Sequence, residues 1–252
     1  MININGDTHP GRVRENNEDA IFMDEARGFA VVADGMGGHA SGEIASRIIV
    51  ETLARERRGT LPERLLAAHR NVIEHARENP ACEGMGATVV VVQADAASYQ
   101  LSWVGDSRAY HWRPGTGVRQ ISRDHSYLEL LLSQGQISET EAQKHPQRNV
   151  VTQALGVGKP EPETLKGDWR AGDRLLLCSD GLSDELSNAE IDALFAAEMA
   201  SKAAVDTLID AALNKGGRDN VSVILMENNF PEVRAGHWLG ALGHFFRRQR
   251  MR

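Results

Sequence analysis

The chain has 252 residues, of which 41% are hydrophobic and 25% are charged, and its formal net charge is -7. That length suits one large domain or two small ones, and the acidic balance argues against nucleic-acid binding as the main activity. Two cysteines suggest no disulfide framework, no apolar stretch is long enough to span a bilayer, and the N-terminus lacks the pattern of a signal peptide. We therefore expect a cytoplasmic protein.

The N-terminal third of the chain predicts a β-hairpin followed by two helices. The apolar strands AIFMD (20–24) and GFAVVAD (28–34) are joined by the short turn EARG. Apolar residues at helical spacing predict one helix over 41–58, with Ser41 as its N-cap, and a second over 61–78 that begins near a proline.

The rest of the chain is first rich in strands and then mixed. Strand-like segments occupy residues 87–95, 98–106, 108–113 and 117–122, and their short connections predict antiparallel pairing. Two short helices lead to RNVVTQALG, and two further helices lie between the predicted strands DRLLLCSD and NVSVILME. Strands and helices occur in blocks and no Pro-, Ser- or Gly-rich linker divides them, so the expected fold is a single α+β domain.

Four aspartates stand at the ends of apolar runs, each beside glycine or asparagine. They are Asp34 in FAVVADGMGG, Asp106 in QLSWVGDSRAY, Asp180 in RLLLCSDGL and Asp219 in GGRDNVSVIL. A desolvated carboxylate is costly unless a positive charge meets it. Four of them in the same local context indicate a metal site that folding assembles from distant segments.

The stretch around Asp34 also fits another motif. The segment GMGGHA (35–40) satisfies G-x-G-x-x-A after a strand and before a helix, as in dinucleotide-binding proteins. Asp34 would place a negative charge beside the pyrophosphate and the neighbouring hairpins are not βαβ units, so this interpretation is kept as a minor alternative. The segment lacks the alternating acids of a calcium-binding loop, and the P-loop pattern with its lysine is absent from the chain.

The donor set favours a hard cation. The glycine after Asp34 lets the backbone approach an ion, so the Gly35 carbonyl can join the carboxylate as a ligand. Oxygen ligands of this kind suit Mg²⁺ or Mn²⁺ rather than zinc. The nine histidines show no zinc-ligand spacing.

The charged string RENNED (14–19) precedes the first predicted strand. Taken alone, it is as consistent with a solvated loop as with a functional segment. In the functional interpretation, Glu18 and Asp19 lie near the strand that carries Asp34, and Arg14 offers its planar guanidinium to a phosphate.

Together these segments resemble the metal-dependent protein phosphatases (PPM, or protein phosphatase 2C). The motifs that carry the resemblance stand in the family's order and are RENNEDA, VVADGMGGHASGEIAS, GMGATVVVV, WVGDSRAY, RDHS, LLLCSDGLSDEL and GGRDNVSVIL. DGMGGH is typical of the bacterial members, and the resemblance runs from about Gly6 to Glu227. It implies a four-layer α/β/β/α sandwich of two central antiparallel sheets flanked by helix pairs. The implied phosphatase domain spans 1–229, with a variable flap over about 123–156.

The resemblance also implies two divalent ions, Mn²⁺ or Mg²⁺, in the catalytic site. Asp34, Asp180 and Asp219 match the ligands of the first ion. Asp34 matches a ligand of the second ion as well, together with the Gly35 carbonyl and mostly water.

Further residues match the surroundings of these ions. Glu18 and Asp19 match residues that hold the waters of the second ion. Asp106 and Asp180 match the ligands of a third, weaker ion of bacterial relatives. Arg14 matches the arginine that binds the phosphate.

The implied activity is hydrolysis of phosphoserine and phosphothreonine on proteins by a metal-bridging hydroxide, which needs no protein nucleophile. Cys82 and Cys178 are then dispensable. Many eukaryotic relatives carry a histidine, a candidate acid for the leaving alkoxide, directly after the Asp-Gly pair, where this chain has Met36. His39 and a metal-bound water are open alternatives, and the general acid stays unassigned.

The expected partners are phosphorylated proteins, among them a Ser/Thr kinase and its substrates, and the chain is expected to be a monomer. The alternative from another class is a catalytically silent binding module, against which the intact set of aspartates argues. The basic amphipathic tail (230–252) either packs on the domain as a short helix or contacts an acidic partner or a membrane surface.

Overall fold

The computed structural model describes residues 1–37, 41–142, 145–197 and 199–231. Two five-stranded antiparallel sheets form its centre. In the first sheet the strands, in spatial order, are β1 (Ile2–His9), β10 (Val221–Asn228), β9 (Arg174–Cys178), β6 (Arg108–Arg113) and β7 (Gly117–Gln120). In the second sheet they are β2 (Asp19–Asp24), β3 (Phe29–Met36), β4 (Gly86–Ala94), β5 (Ser98–Val104) and β8 (Glu163–Asp168).

Helices cover the outer face of each sheet. Helices α1 (Ser41–Arg55) and α2 (Leu61–Glu78) pack on the second sheet, and α6 (Asn188–Ala196) and α7 (Ser201–Lys215) pack on the first. Each helix pair forms an apolar cluster with the sheet that it covers, and a further apolar cluster fills the space between the two sheets. The α+β class and the four layers that the resemblance implied are therefore confirmed.

Strand β3 contributes side chains to two of these apolar clusters. Its side chains alternate, as they must in a strand. Val31 and Ala33 pack toward the helices, whereas Ala30 and Val32 pack toward the other sheet.

The first two helices compare differently with their predicted ends. Thr60 and Glu63 form a reciprocal capping box at the start of α2, which spans the residues predicted for it. Ser41 is the first residue of α1 and donates its hydroxyl to the Ala81 carbonyl, so its predicted N-cap role was wrong. Helix α1 also ends at Arg55, earlier than predicted.

Strand β3 is longer than predicted, and Asp34 lies inside it. Asp34 pairs in register with Asp19 of β2 on one side and with Thr88 of β4 on the other. Both neighbours are antiparallel, so the segment is not part of a βαβ unit and the dinucleotide-binding alternative is wrong.

The excursion predicted over about 123–156 lies between β7 and β8. It carries α3 (Tyr127–Ser133) and α4 (Glu139–Ala142), and isolated bridges join Ser126 to Val151 and Ala87 to Leu155. The short α5 (Asp180–Ser183) comes soon afterwards, directly behind β9. In the described part of the chain, no helix combines the length and apolarity that a membrane span needs. His39 and residues 232–252, which hold nearly all of the basic tail, lie outside the described residues.

Candidate metal centre

One cavity of about 350 Å³ collects most of the residues that the sequence singled out. Seven of the eight predicted site residues line it, namely Arg14, Glu18, Asp34, Gly35, Asp106, Asp180 and Asp219. We call this cavity the acidic cleft. The eighth, Asp19, is buried behind it at 8% exposure.

The two sheets supply the acids from opposite sides of the cleft. Asp34 belongs to the second sheet, within β3. Asp180 is the first residue of α5, and Asp219 stands two residues before β10, so both extend from the first sheet. Asp106 lies in the turn between β5 and β6, where the chain passes from one sheet to the other.

Gly35 permits a close approach of three backbone segments. Its N–H donates to the Glu18 carbonyl at 3.1 Å. A Cβ atom at this position would lie 2.3 Å from the Gly42 oxygen and 2.5 Å from the Glu18 oxygen. Any larger residue would therefore push the start of α1 and the Glu18 loop away from β3.

Asp19 has one buried carboxylate oxygen without a hydrogen-bond partner among the described residues. Ser179 donates its hydroxyl to Asp19 Oδ2 at 2.8 Å, whereas Oδ1 accepts no hydrogen bond from any residue that the structure describes. Burial raises the pKa of Asp19 to about 6. An orphaned buried carboxylate oxygen is costly, so this position suits the ordered water or cation that the sequence predicted beside it.

The acids of the cleft raise one another's pKa. Burial is the largest cause of the raised pKa of Asp34, followed by the charge of Asp19 and then that of Asp180. Burial and the charge of Asp106 likewise raise the pKa of Asp180 well above its usual value. Burial raises the pKa of Glu18. A divalent cation relieves this repulsion, and carboxylate and carbonyl oxygens are the donors that Mg²⁺ and Mn²⁺ prefer.

Asp219 is paired with the arginine predicted to bind phosphate. Arg14 Nη2 donates to Asp219 Oδ2 at 2.7 Å, with the Arg14 side chain 54% exposed. Within the described ranges, no three His, Cys, Asp or Glu side chains converge closely enough to hold one ion by themselves. The predicted ligands thus surround one cavity without forming a closed ligand cluster.

A second cavity of about 310 Å³ adjoins the acidic cleft beneath the flap. Asp106, Asp180 and Asn149 line both cavities. The predicted ligands of the third ion therefore stand on a shared wall. Asp184 also lines the second cavity, and burial raises its pKa.

The sequence analysis did not identify the residues whose hydrogen bonds hold the segments of the site together. Asn220 Nδ2 donates to the carbonyls of Pro10 and Asn16 at 2.9 Å each, and Asn220 Oδ1 accepts from the Glu18 N–H at 2.8 Å. This one side chain ties the Arg14 loop to the start of β10. The only signal for it in the sequence is the Asp-Asn pair before the last strand.

The loop of Asp106 is held in a similar way. The hydroxyls of Thr88 and Ser107 share a hydrogen bond of 2.7 Å. Arg108 then donates to both oxygens of Asp124, with its shortest bond at 2.7 Å. These contacts fix the turn that presents Asp106.

The two cysteines do not contribute to the lining of the acidic cleft. Cys82 and Cys178 are both free and buried. Burial raises the pKa of the Cys178 thiol to about 12, which leaves no thiolate at neutral pH. Neither residue lines the acidic cleft.

Comparisons with known proteins agree with this architecture. The profile of the family described as protein phosphatase 2C matches residues 6–216. The serine/threonine protein phosphatase PstP of Mycobacterium tuberculosis is 41% identical over 226 residues, which cover 86% of this chain but 43% of that protein. The serine/threonine phosphatase stp of Listeria innocua is 34% identical over 238 residues, covering 88% of this chain and 94% of the relative.

A solved structure shares the fold. The catalytic domain of PstP in complex with two manganese ions superposes with a TM-score of 0.79 and 34% identity, covering 90% of this chain and 97% of that chain. This chain thus spans less than half the length of PstP and nearly the whole of the Listeria relative. The resemblance carried by the motifs is confirmed, and the chain belongs to the protein phosphatase 2C family.

Proposed function

We propose that this protein is a metal-dependent phosphatase that hydrolyses phosphoserine and phosphothreonine on proteins. The observation that carries the proposal is the meeting of carboxylates from distant segments with one arginine around the acidic cleft. Relatives that match along nearly all of this chain are named serine/threonine phosphatases. Since the phosphatase removes what a kinase adds, its partners are a cytoplasmic Ser/Thr kinase and that kinase's substrates.

The cleft residues would share two Mn²⁺ or Mg²⁺ ions. Asp34 would hold both, joined by Asp180 and Asp219 on the first and by the Gly35 carbonyl on the second. When bound, such a pair of ions supplies a hydroxide nucleophile at neutral pH and neutralises charge on the phosphoryl oxygens. The relative solved with two manganese ions supports this number of ions.

Three further acids, together with Asp180, complete the proposed site. Glu18 and Asp19 would orient waters at its inner side, where Asp19 Oδ1 has no other partner in the described part of the chain. Asp106 and Asp180 would hold a third, more weakly bound ion at the wall between the two cavities.

Arg14 would change partners when the site fills. Its guanidinium and a cation compete for the same carboxylate of Asp219. An Asp219 engaged by a cation leaves Arg14 free to give two parallel N–H bonds to the phosphoryl group. The exposed position of Arg14 at the rim suits this exchange.

The proton for the leaving alkoxide comes from no assigned side chain. The described residues that line the acidic cleft include no His, Lys, Tyr or Cys. Met36 stands at the rim with 39% exposure and cannot donate a proton. The general acid stays unassigned between a water and His39, which lies outside the described residues.

Hydrolysis of an aryl phosphate and of a phosphothreonine peptide in the presence of Mn²⁺ tests the proposal. We expect turnover that a chelator abolishes. Asp180→Ala and Asp219→Ala should each lower turnover about 100-fold or more with an unchanged circular dichroism spectrum, because each removes a carboxylate from a shared site. Substantial turnover by either variant contradicts the proposed site. Mn²⁺ binding without any turnover by the unmodified protein favours the silent binding module instead.

A further inference from the structure

A small pocket opens beside the acidic cleft and has no part in the proposed chemistry. Its volume is about 130 Å³, and its apolar walls are Met36, Val151, Ala154, Val157 and Pro160. We call it the valine pocket. Met36 and Val151 also line the acidic cleft, so the two cavities share a wall.

The valine pocket and the acidic cleft differ in chemistry. Lys159 is the one charged residue among those described around the valine pocket, whereas five acids and an arginine line the cleft. Met36 and Val157 are 39% and 43% exposed, although both are large and apolar. Exposed apolar side chains grouped around one pocket beside a polar site are typical of a binding surface.

Hydrogen bonds hold the loop that forms the pocket, residues 151–160. Leu155 and Ala87 exchange two backbone hydrogen bonds of 2.9 and 3.0 Å, which join the loop to β4. The Gln153 side chain accepts from the Glu161 N–H at 2.7 Å and closes the loop on itself. The pocket is therefore formed before anything enters it, and little ordering entropy opposes binding.

We propose that the valine pocket receives one apolar side chain of the phosphoprotein substrate, close in sequence to the phosphorylated residue. This inference rests on the proposed function, which puts the phosphoryl group in the acidic cleft. A dry apolar cavity of ~150 Å³ holds a benzene molecule, so this pocket suits a single Val, Leu or Met side chain. An extended peptide advances ~3.3 Å per residue. Because the two cavities share a wall, we place this side chain within about three residues of the phosphorylated one.

A set of phosphothreonine peptides tests this inference. Leu is placed singly at each of the three positions on either side of phosphothreonine in a Gly/Ser background, and kcat/KM is measured with Mn²⁺. We expect Leu at one position to raise kcat/KM roughly tenfold over Ser, and Val157→Asn to reduce that preference to less than about twofold. Val150→Asn is the matched control, because Val150 is also 43% exposed but lines neither cavity.

Each other outcome has a definite meaning. Equal kcat/KM for every peptide, or a preference that survives in Val157→Asn, overturns the inference while leaving the proposed function intact. Failure of the unmodified protein to hydrolyse any peptide or an aryl phosphate contradicts the proposed function, and the inference falls with it. A flat peptide profile with a dimer in sedimentation that Val157→Asn abolishes assigns the pocket to a second copy of the chain and overturns the inference.

Discussion

Individual carboxylates of the acidic cleft lower the stability of the metal-free protein. The pKa of Asp34 and that of Asp180 stand well above their usual value, with burial as the main cause in each case. A raised pKa means that folding makes the ionised form less favourable. These side chains thus oppose folding at neutral pH, which is the expected sign for residues selected to bind cations rather than to stabilise the core.

Replacement of Asp106 should separate this cost from the function. Burial, followed by the charge of Asp124, raises the Asp106 pKa from 3.8 to about 6. Its contribution to stability is complete below pH ~4 and is lost as the pH rises through ~6. In chelator at pH 7.5 we expect Asp106→Asn to unfold ~2–4 °C higher than the unmodified protein, about 1 kcal/mol after allowance for its partial exposure.

Thermal unfolding of both proteins in chelator across pH 4 to 7.5 checks this expectation. The difference should grow with pH, because only the unmodified protein carries the carboxylate. Among Asn or Ala replacements of the four cleft aspartates, that of Asp106 should also cost the least turnover. Identical unfolding temperatures at every pH would mean that the Asp106 carboxylate does not destabilise the folded protein.

Arg14 should act on substrate binding more than on turnover. Arg14→Ala removes a guanidinium from a dianionic phosphate, and we expect KM for a phosphopeptide to rise about tenfold with a smaller change in kcat. Steady-state kinetics with Mn²⁺ measures both. Arg12→Ala is the control, because Arg12 lies in the same loop and bonds the exposed Asn214 at 3.3 Å. Unchanged KM and kcat in Arg14→Ala would reject the role.

At the scale of elements, one asparagine joins the Arg14 loop to β10. Asn220 is 5% exposed and makes three hydrogen bonds to backbone groups of that loop. Asn220→Ala leaves these groups without partners, so we expect a loss of ~2–3 kcal/mol, or ~4–12 °C in Tm, and a higher KM as Arg14 loses its placement. Thermal unfolding and phosphopeptide kinetics measure the two effects. The exposed Asn71, which bonds Thr52, is the control residue, and equal effects of Asn71→Ala and Asn220→Ala would contradict the anchoring role.

The sequence predicts inner strands better than edge strands. Strands β3 and β4 are flanked by strands on both sides and read as continuous apolar runs, so their patterns predict them to within two residues. Strands β1 and β8 stand at sheet edges, were not predicted, and have the polar sequences ININGDTH and ETLKGD. An edge strand is specified largely by the partner it pairs with, and polar residues there also prevent aggregation.

The site likewise combines residues that the sequence predicts with residues that it does not. Asp34, Asp180 and Asp219 are predictable because each stands at the end of an apolar run, beside glycine or asparagine. Asn220 and Thr88 are not, because their roles depend on carbonyls and hydroxyls that distant segments bring to them. The ion pair between Arg14 and Asp219 likewise depends on the packing of distant segments and leaves no pattern in the sequence.

At the scale of the whole molecule, the acidic cleft lies between the two sheets. Asp34 comes from the second sheet, and Asp180 and Asp219 come from the first. The charges of Asp180 and Asp219 raise the pKa of Asp34 across this end, while the apolar cluster between the sheets holds them together. A cation held by both sheets would reverse the sign of that electrostatic contribution.

Metal binding should therefore stabilise the complete sandwich rather than one loop. Mn²⁺ that binds only the native state at 100 times its Kd adds ~2.7 kcal/mol, which corresponds to a rise in Tm of about 5–10 °C for a chain of this length. Differential scanning calorimetry of the metal-free protein with and without Mn²⁺ measures the shift, and a single cooperative transition should move as a whole. Asp180→Ala should show little of this shift, because it removes a ligand expected to serve two ions. An equal rise in Asp180→Ala would mean that Mn²⁺ stabilises the protein from some other site, and that the carboxylates of the two sheets do not hold it jointly.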